Sequence, residues 1–299
     1  ERSIDRVRTV LRAAGYDEAR TPSFVGETVL GPSELDNLVE IRNPISKADR
    51  FLRPFVMTTL GRAVAHNLNR GAASVRLFEI GHAFRPGAGG RPEETRQVAL
   101  AAAGRVRTVD WSGAVLPIDF FDVKGVVEEL QRQAGLEEVS FIADRRPYLH
   151  PGQQASIESA GETIGFLGEI HPRLAEEWGA PERLYVAEMR LDALTRELPP
   201  VKVERVPREP AVERDLALVV PDEHSSARIV AAVREAGMED LTTIEVFDRY
   251  QGPQVPEGHY SLGLRLTFQA HRTLTVEAID QRVGGLVELL EKEHGYRLR

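Results

Sequence analysis

Three stretches of the last third decide the fold: Arg208-Glu-Pro-Ala-Val-Glu-Arg-Asp-Leu-Ala-Leu-Val-Val220, Val246-Phe-Asp-Arg-Tyr-Gln-Gly252 and Tyr260-Ser-Leu-Gly-Leu-Arg-Leu-Thr-Phe-Gln-Ala-His-Arg-Thr-Leu-Thr275. The first predicts a strand over 211–220. A helix is expected over 225–236, capped by Ser225 or Ser226 and ended by Gly237. Strands follow at 241–250 and 258–270. Thr275 can then cap a helix over 275–292, with Ile279, Val283, Leu286, Val287 and Leu290 on one face. A short strand closes the chain. This order, βαββαβ, is the ferredoxin-like split unit. A fold of this kind hosts many functions, so periodicity alone assigns none.

Upstream, Ser3 can cap a first helix whose Ile4, Val7, Leu11 and Ala14 recur at helical spacing and which Gly15 can end. Residues 18–25 read as extended. Pro54 suits the start of a second helix carrying the stripe Leu60, Val64, Leu68. Strands are expected at 75–84, 97–103, 153–158, 163–170 and 184–191, with a loop at 85–92. A third helix carries Phe121, Val126, Leu130 and Ala134. Pro199-Pro200 stiffens the chain and marks the domain boundary, giving domains 1–200 and 201–299.

Composition narrows the class. The chain has 299 residues, 42% hydrophobic, enough for two domains. No apolar run reaches the ~20 residues that span a bilayer, so no membrane partner is expected. Cysteine is absent, which excludes disulfides and thiolate metal sites. The net charge is −8, and each domain carries more carboxylates than cations. Any nucleic-acid contact must therefore use local arginines, stacking and hydrogen bonds more than a broad positive field.

Several motifs read as structural. Asp119 and Asp122 sit where carboxylates cap a helix start. The eight histidines form no His-x-x-x-His pair, so no metal site is expected. Gly87-Ala-Gly-Gly90 lacks the Lys-Ser/Thr of a phosphate loop. Pro44-Ile-Ser-Lys-Ala48 reads as a loop leading into a helix, and Tyr250, taken alone, as an amphipathic tyrosine at the sheet boundary.

The three opening blocks together resemble the ferredoxin-fold anticodon-binding domain that ends the bacterial phenylalanyl-tRNA synthetase beta subunit. Residues 1–195 resemble the catalytic-like module of the same family. The matching pieces are Ile41-Arg-Asn-Pro-Ile-Ser46, Phe51-Leu-Arg-Pro54, Asn67, Leu77-Phe-Glu-Ile-Gly-His-Ala-Phe84, Asp119-Phe-Phe-Asp-Val-Lys-Gly125, His150-Pro-Gly-Gln153 and Ile164-Gly-Phe-Leu-Gly-Glu-Ile-His-Pro172. The family's N-terminal modules are missing, which implies a C-terminal part. The resemblance implies an α+β protein: a class II synthetase-like antiparallel sheet with flanking helices, then the ferredoxin-like domain.

The resemblance also implies a division of labour. No catalytic residue is expected here. Arg85 follows Phe84 without the acidic and histidine companions of an ATP-binding arginine. Gly161, Gly165 and Gly168 lead to Glu-Ile-His-Pro-Arg rather than to a tight Gly-x-Gly-x-x-Arg turn. ATP and magnesium would be used by the whole enzyme, on an alpha chain, within a cytoplasmic α₂β₂ assembly. No cofactor is expected on this chain. Asp248 and Tyr250 match positions that handle the first anticodon base of phenylalanine tRNA. Ala217 would let that base lie close, Ser261 would hydrogen-bond it, and Arg299 would meet phosphate or stack. Arg249 stands where the family often has an apolar residue, which adds charge near the site. Two other classes stay open: an autonomous RNA-binding or regulatory protein of the same two modules, and a ligase with its own altered class II site.

Overall fold

The computed structural model describes residues 2–27, 38–44, 46, 49–106, 115–136, 139–197 and 207–299. Pro199-Pro200, and Ile45, Lys47 and Ala48 of the expected loop, lie outside the described residues. The chain divides into two compact units, Glu1–Pro200 and Val201–Arg299.

The first unit is built on a seven-stranded sheet, order β1-β5-β6-β10-β9-β8-β7. Its strands are β1 (Asp17–Glu18), β5 (Ser74–Pro86), β6 (Pro92–Gly104), β7 (Val139–Ala143), β8 (Leu149–Ser159), β9 (Glu162–Ile170) and β10 (Tyr185–Arg190). Every neighbouring pair is antiparallel except β1 with β5, so the expected antiparallel sheet carries one parallel edge. The strands β2 (Phe24–Val25), β3 (Val39–Glu40) and β4 (Phe51–Leu52) form a small separate sheet, and the extended stretch expected over 18–25 is divided between the end of β1 and β2.

The large sheet is covered on both faces, and β6 shows why. Val98, Leu100 and Ala102 point to one core, shared with α1 (Arg2–Ala13) and α3 (Phe120–Gln133). Ala99, Ala101 and Ala103 point to the other, under α2 (Val56–Leu68). A strand buried on both faces reads as a continuous apolar run, as Val-Ala-Leu-Ala-Ala-Ala does here. The stripe Leu60, Val64, Leu68 is buried as expected. Ser3 lies inside α1 and does not cap it, since the helix already includes Arg2. The expected loop after Phe84 is shorter: β5 runs on to Pro86, and only a 3₁₀ turn, Ala88–Gly90, separates it from β6. The short helices α4 (Pro172–Glu177) and α5 (Leu191–Leu194) complete the unit. Asp119 accepts from the Phe121 and Asp122 amides, and the Asp122 carboxylate accepts in turn from the Asp119 amide. This reciprocal cap fixes the start of α3.

The second unit is β11 (Val212–Pro221), α6 (Ser226–Glu235), β12 (Leu241–Tyr250), β13 (His259–Phe268), α7 (Val276–His294) and β14 (Arg297–Leu298). Its sheet runs β12-β13-β11-β14, all antiparallel, which is the ferredoxin-like arrangement. Ser225 caps α6 through the Arg228 amide, and Thr275 caps α7 through the Ala278 amide. Leu216, Leu218 and Val220 of β11 and Leu262, Leu264 and Leu266 of β13 form a core with Ile229, Ile279, Leu286 and Leu290 of the helices. Side chains alternate along a strand. The residues between these therefore face away from the helices and build an open sheet face.

Candidate nucleic-acid interface

That open face gathers the residues singled out in the sequence. The register aligns Ala217 of β11 with Gly263 of β13, and Gly263 with Asp248 of β12. One row on, Val219 aligns with Ser261, and Ser261 with Tyr250. Arg299 joins them from the sheet's far side. Its amide donates to the Ala217 carbonyl at 2.8 Å. Its guanidinium crosses the face to stack 4.6 Å from the Tyr250 ring centre, and it donates to Gln254 Oε1. Ala217, Asp248, Tyr250, Ser261 and Arg299 thus share one face, although they come from three strands and the chain end.

The chemistry of this face is mixed. Tyr250 is half-buried and Asp248 exposed. Ser261 is 2% exposed, so its hydroxyl sits at the floor of the site beneath the larger groups. Arg265 is held by Asp215 through two contacts, Nε to Oδ1 at 2.8 Å and Nη2 to Oδ2 at 2.9 Å. This pairing holds the Asp215 carboxyl below its ordinary range. The expectation for Arg249 is corrected. It pairs with Leu262 in the register, so it points to the opposite side, where its guanidinium lies 4.4 Å from the Tyr260 ring centre.

Two residues escaped the sequence reading. The pairing of β12 with β13 shifts between Val246 and Asp248, leaving Phe247 as the extra residue of a bulge. Both Phe247 and Asp248 then crowd over Gly263. A Cβ on Gly263 would lie 2.9 Å from Asp248 Cβ and 3.0 Å from the Phe247 ring. Glycine is the residue that lets these side chains lie flat on the strand. The only sequence signal was the run Val246-Phe247, two apolar residues in succession on a strand.

The first unit has a cavity of about 260 Å³ beside the start of α2, lined among others by Phe55, Arg85, Arg146, Phe166 and Glu188. Arg85 lies over Phe55 at 4.9 Å and Arg146 over Phe166 at 4.7 Å. Phe55 offers no side-chain cap to α2. Glu188 of β10 supplies it, accepting from the Met57 amide at 2.8 Å. Burial pushes this carboxyl up to about 7 despite the Met57 and Val56 amides that favour its charged form. The lining is mixed in charge: Arg85, Arg146 and Arg190 border it together with Glu93 and Glu188. Gly161 lies in the turn between β8 and β9, and Gly165 and Gly168 lie inside β9, where neighbouring backbones press close; none forms a strand–helix turn.

The fold defines an α+β module on a seven-stranded, mostly antiparallel sheet, followed by a ferredoxin-like domain with an open sheet face. Residues 1–191 match the phenylalanyl tRNA synthetase beta chain CLM domain, and residues 207–299 match the ferredoxin-fold anticodon binding domain. The chain belongs to the phenylalanyl tRNA synthetase beta chain family. The phenylalanine--tRNA ligase beta subunit of Symbiobacterium thermophilum is 38% identical over 91% of this chain and 32% of its own length. That of Haemophilus influenzae is 35% identical over 99% of this chain and 38% of its own. The chain therefore spans about a third of the length of these curated relatives. A pyrrolysyl tRNA synthetase of Desulfitobacterium hafniense shares the fold, with a TM-score of 0.50, 14% identity and 64% of each chain covered.

Proposed function

We propose that this chain is the C-terminal part of the beta subunit of a phenylalanine–tRNA ligase. Residues 1–200 pack on a catalytic alpha chain within an α₂β₂ heterotetramer in the cytoplasm. Residues 201–299 hold the anticodon region of phenylalanine tRNA. ATP and magnesium act on the alpha chain, and this chain supplies no catalytic residue. The observation that carries the reading is the meeting of Ala217, Asp248, Tyr250, Ser261 and Arg299 on one open sheet face.

Each group has work to do there. An unpaired base stacks on the Tyr250 ring, taking or sharing the place of the Arg299 guanidinium. Asp248, exposed beside it, accepts from the base edge. Ala217 and Gly263 keep the floor low, and Ser261 offers a hydroxyl at its bottom. Arg299, released from the ring, meets phosphate. Filter binding to the assembled enzyme tests this. Tyr250→Ala should weaken tRNA binding by ~1–3 kcal/mol, and Tyr250→Phe by far less because the ring face survives. Equal binding of Tyr250→Ala and parent would leave the family membership standing and remove the anticodon site.

A further inference from the structure

The open face carries a second aromatic that the site above does not use. Phe247 is 48% exposed. Its neighbours Ile244 and Val246 pair with the inward-facing Leu266 and Leu264, so alternation sets Phe247 outward. The bulge then keeps Asp248 on that same face, and both side chains lie above Gly263. An arginine attends this ring as well: the Arg265 guanidinium lies 5.4 Å from its centre. Asp248 is thus flanked on one strand by two aromatic–arginine pairs, Phe247 with Arg265 and Tyr250 with Arg299.

The two pairs differ in how their arginines are held. Arg265 is fixed by both Asp215 oxygens, so it stays beside Phe247 as part of the platform. Among the described residues, Arg299 is held on its ring by one side-chain hydrogen bond, to Gln254. Strands rise ~3.3 Å per residue, so three residues set the two aromatics roughly 10 Å apart. A single-stranded segment with splayed bases bridges such a distance, and aromatic side chains bind it by stacking with little regard to sequence.

We infer that Phe247, with Arg265 and Gly263, forms a second base-stacking subsite, which takes a nucleotide next to the one at Tyr250. The inference rests on the tRNA-binding reading and adds a second point of contact to it. Phe247 supplies a π-face, so this subsite holds a base in place without reading its edge, whereas Asp248 reads the neighbour.

The test is a cycle of protein and RNA changes in the assembled enzyme with the full-length parent chain. Binding is measured for parent, Phe247→Ala, Phe247→Trp and Tyr250→Ala. Each is titrated with phenylalanine tRNA and with three versions carrying one abasic anticodon position apiece. Phe247→Ala should weaken binding of intact tRNA about 5- to 150-fold, the range of one base–aromatic stack, and Phe247→Trp should restore it. The Phe247→Ala loss should vanish with the abasic site at one position, and the Tyr250→Ala loss at a different one. If Tyr250→Ala weakens binding and Phe247→Ala does not, the second subsite is wrong and the anticodon reading stands. If neither weakens it, both fall. If Phe247→Ala instead lowers melting temperature or subunit assembly with tRNA affinity intact, the ring covers protein and the subsite is overturned.

Discussion

Gly81 has no room for a side chain. A Cβ there would lie 2.4 Å from Arg53 Nη2 and 2.8 Å from Glu79 Oε1. Those two groups form a salt bridge at 2.8 Å, and Arg53 is 1% and Glu79 2% exposed. Arg53 also donates to Thr21 and Thr59 hydroxyls and to the His82 carbonyl, so its charge is met on several sides. Breaking a buried pair by removing one partner leaves an uncompensated charge and costs ~3–5 kcal/mol. Glu79→Ala should cost this much in urea unfolding, and Gly81→Ala should be destabilising by the same route. Neither role was legible. Phe51-Leu-Arg-Pro54 carried a resemblance, but an arginine three residues before a helix reads as exposed until its partner on a distant strand is known. At the interface, Asp248→Asn should blunt discrimination for guanine at the first anticodon position. A carboxylate accepts from both guanine N–H groups, and one amide oxygen accepts more weakly. Affinities for wild-type and anticodon-substituted tRNA, measured side by side, give that ratio.

Elements show where local sequence suffices and where it fails. The stripe along α7 and the caps Ser225 and Thr275 are local signals, and they place both helices of the second unit correctly. The bulge in β12 depends on what lies across from it, so it could not be read from that strand. The start of α2 is the clearest case. Its cap comes from Glu188, 131 residues away along the chain. Because the folded carboxyl titrates at about 7, against 4.5 when free, the native state binds its proton more tightly than the unfolded state. The stability this contributes is present below pH ~4.5 and is lost as pH rises through ~7. Urea midpoints of the parent should therefore fall between those values through this group. Glu188→Gln keeps an acceptor for the Met57 amide and removes the titration, so its midpoints should fall less over the same interval. Parallel curves for the two proteins would rule out this origin.

At the scale of the molecule, the family alignment and the order of the two modules were legible because each rests on several motifs in sequence. How a partner meets the first unit was not. Its exposed large apolar residues include Val115, Leu116 and Phe121, and Phe121 is 71% exposed at the start of α3. An obligate interface leaves such groups uncovered when the partner is absent. Sedimentation should show self-association of the free chain that an alpha chain suppresses and Phe121→Ser reduces; a monomer indifferent to alpha would count against the proposed packing. Charge makes a second expectation. With 46 carboxylates against 38 cations, the chain has no broad positive field to release counterions, so tRNA binding by this part should depend only shallowly on salt. The slope of log affinity against log salt measures it.

The bulge at Phe247 has a consequence for solubility. Strand β12 is an outer strand of the four-stranded sheet, so among the described residues one side of its backbone has no ladder partner. Free strand edges seed aggregation, and irregular pairing is one way proteins guard them. Here the ladder is interrupted twice, between Leu241 and Thr243 and between Val246 and Asp248, so the free edge is kinked along its length. Deleting Phe247 outright, rather than replacing it, would even out the second break and flatten that edge. The deletion variant should scatter light sooner than Phe247→Ala at equal concentration and temperature. The residue that presents an aromatic to solvent would thus also hinder edge-to-edge pairing between copies of the sheet.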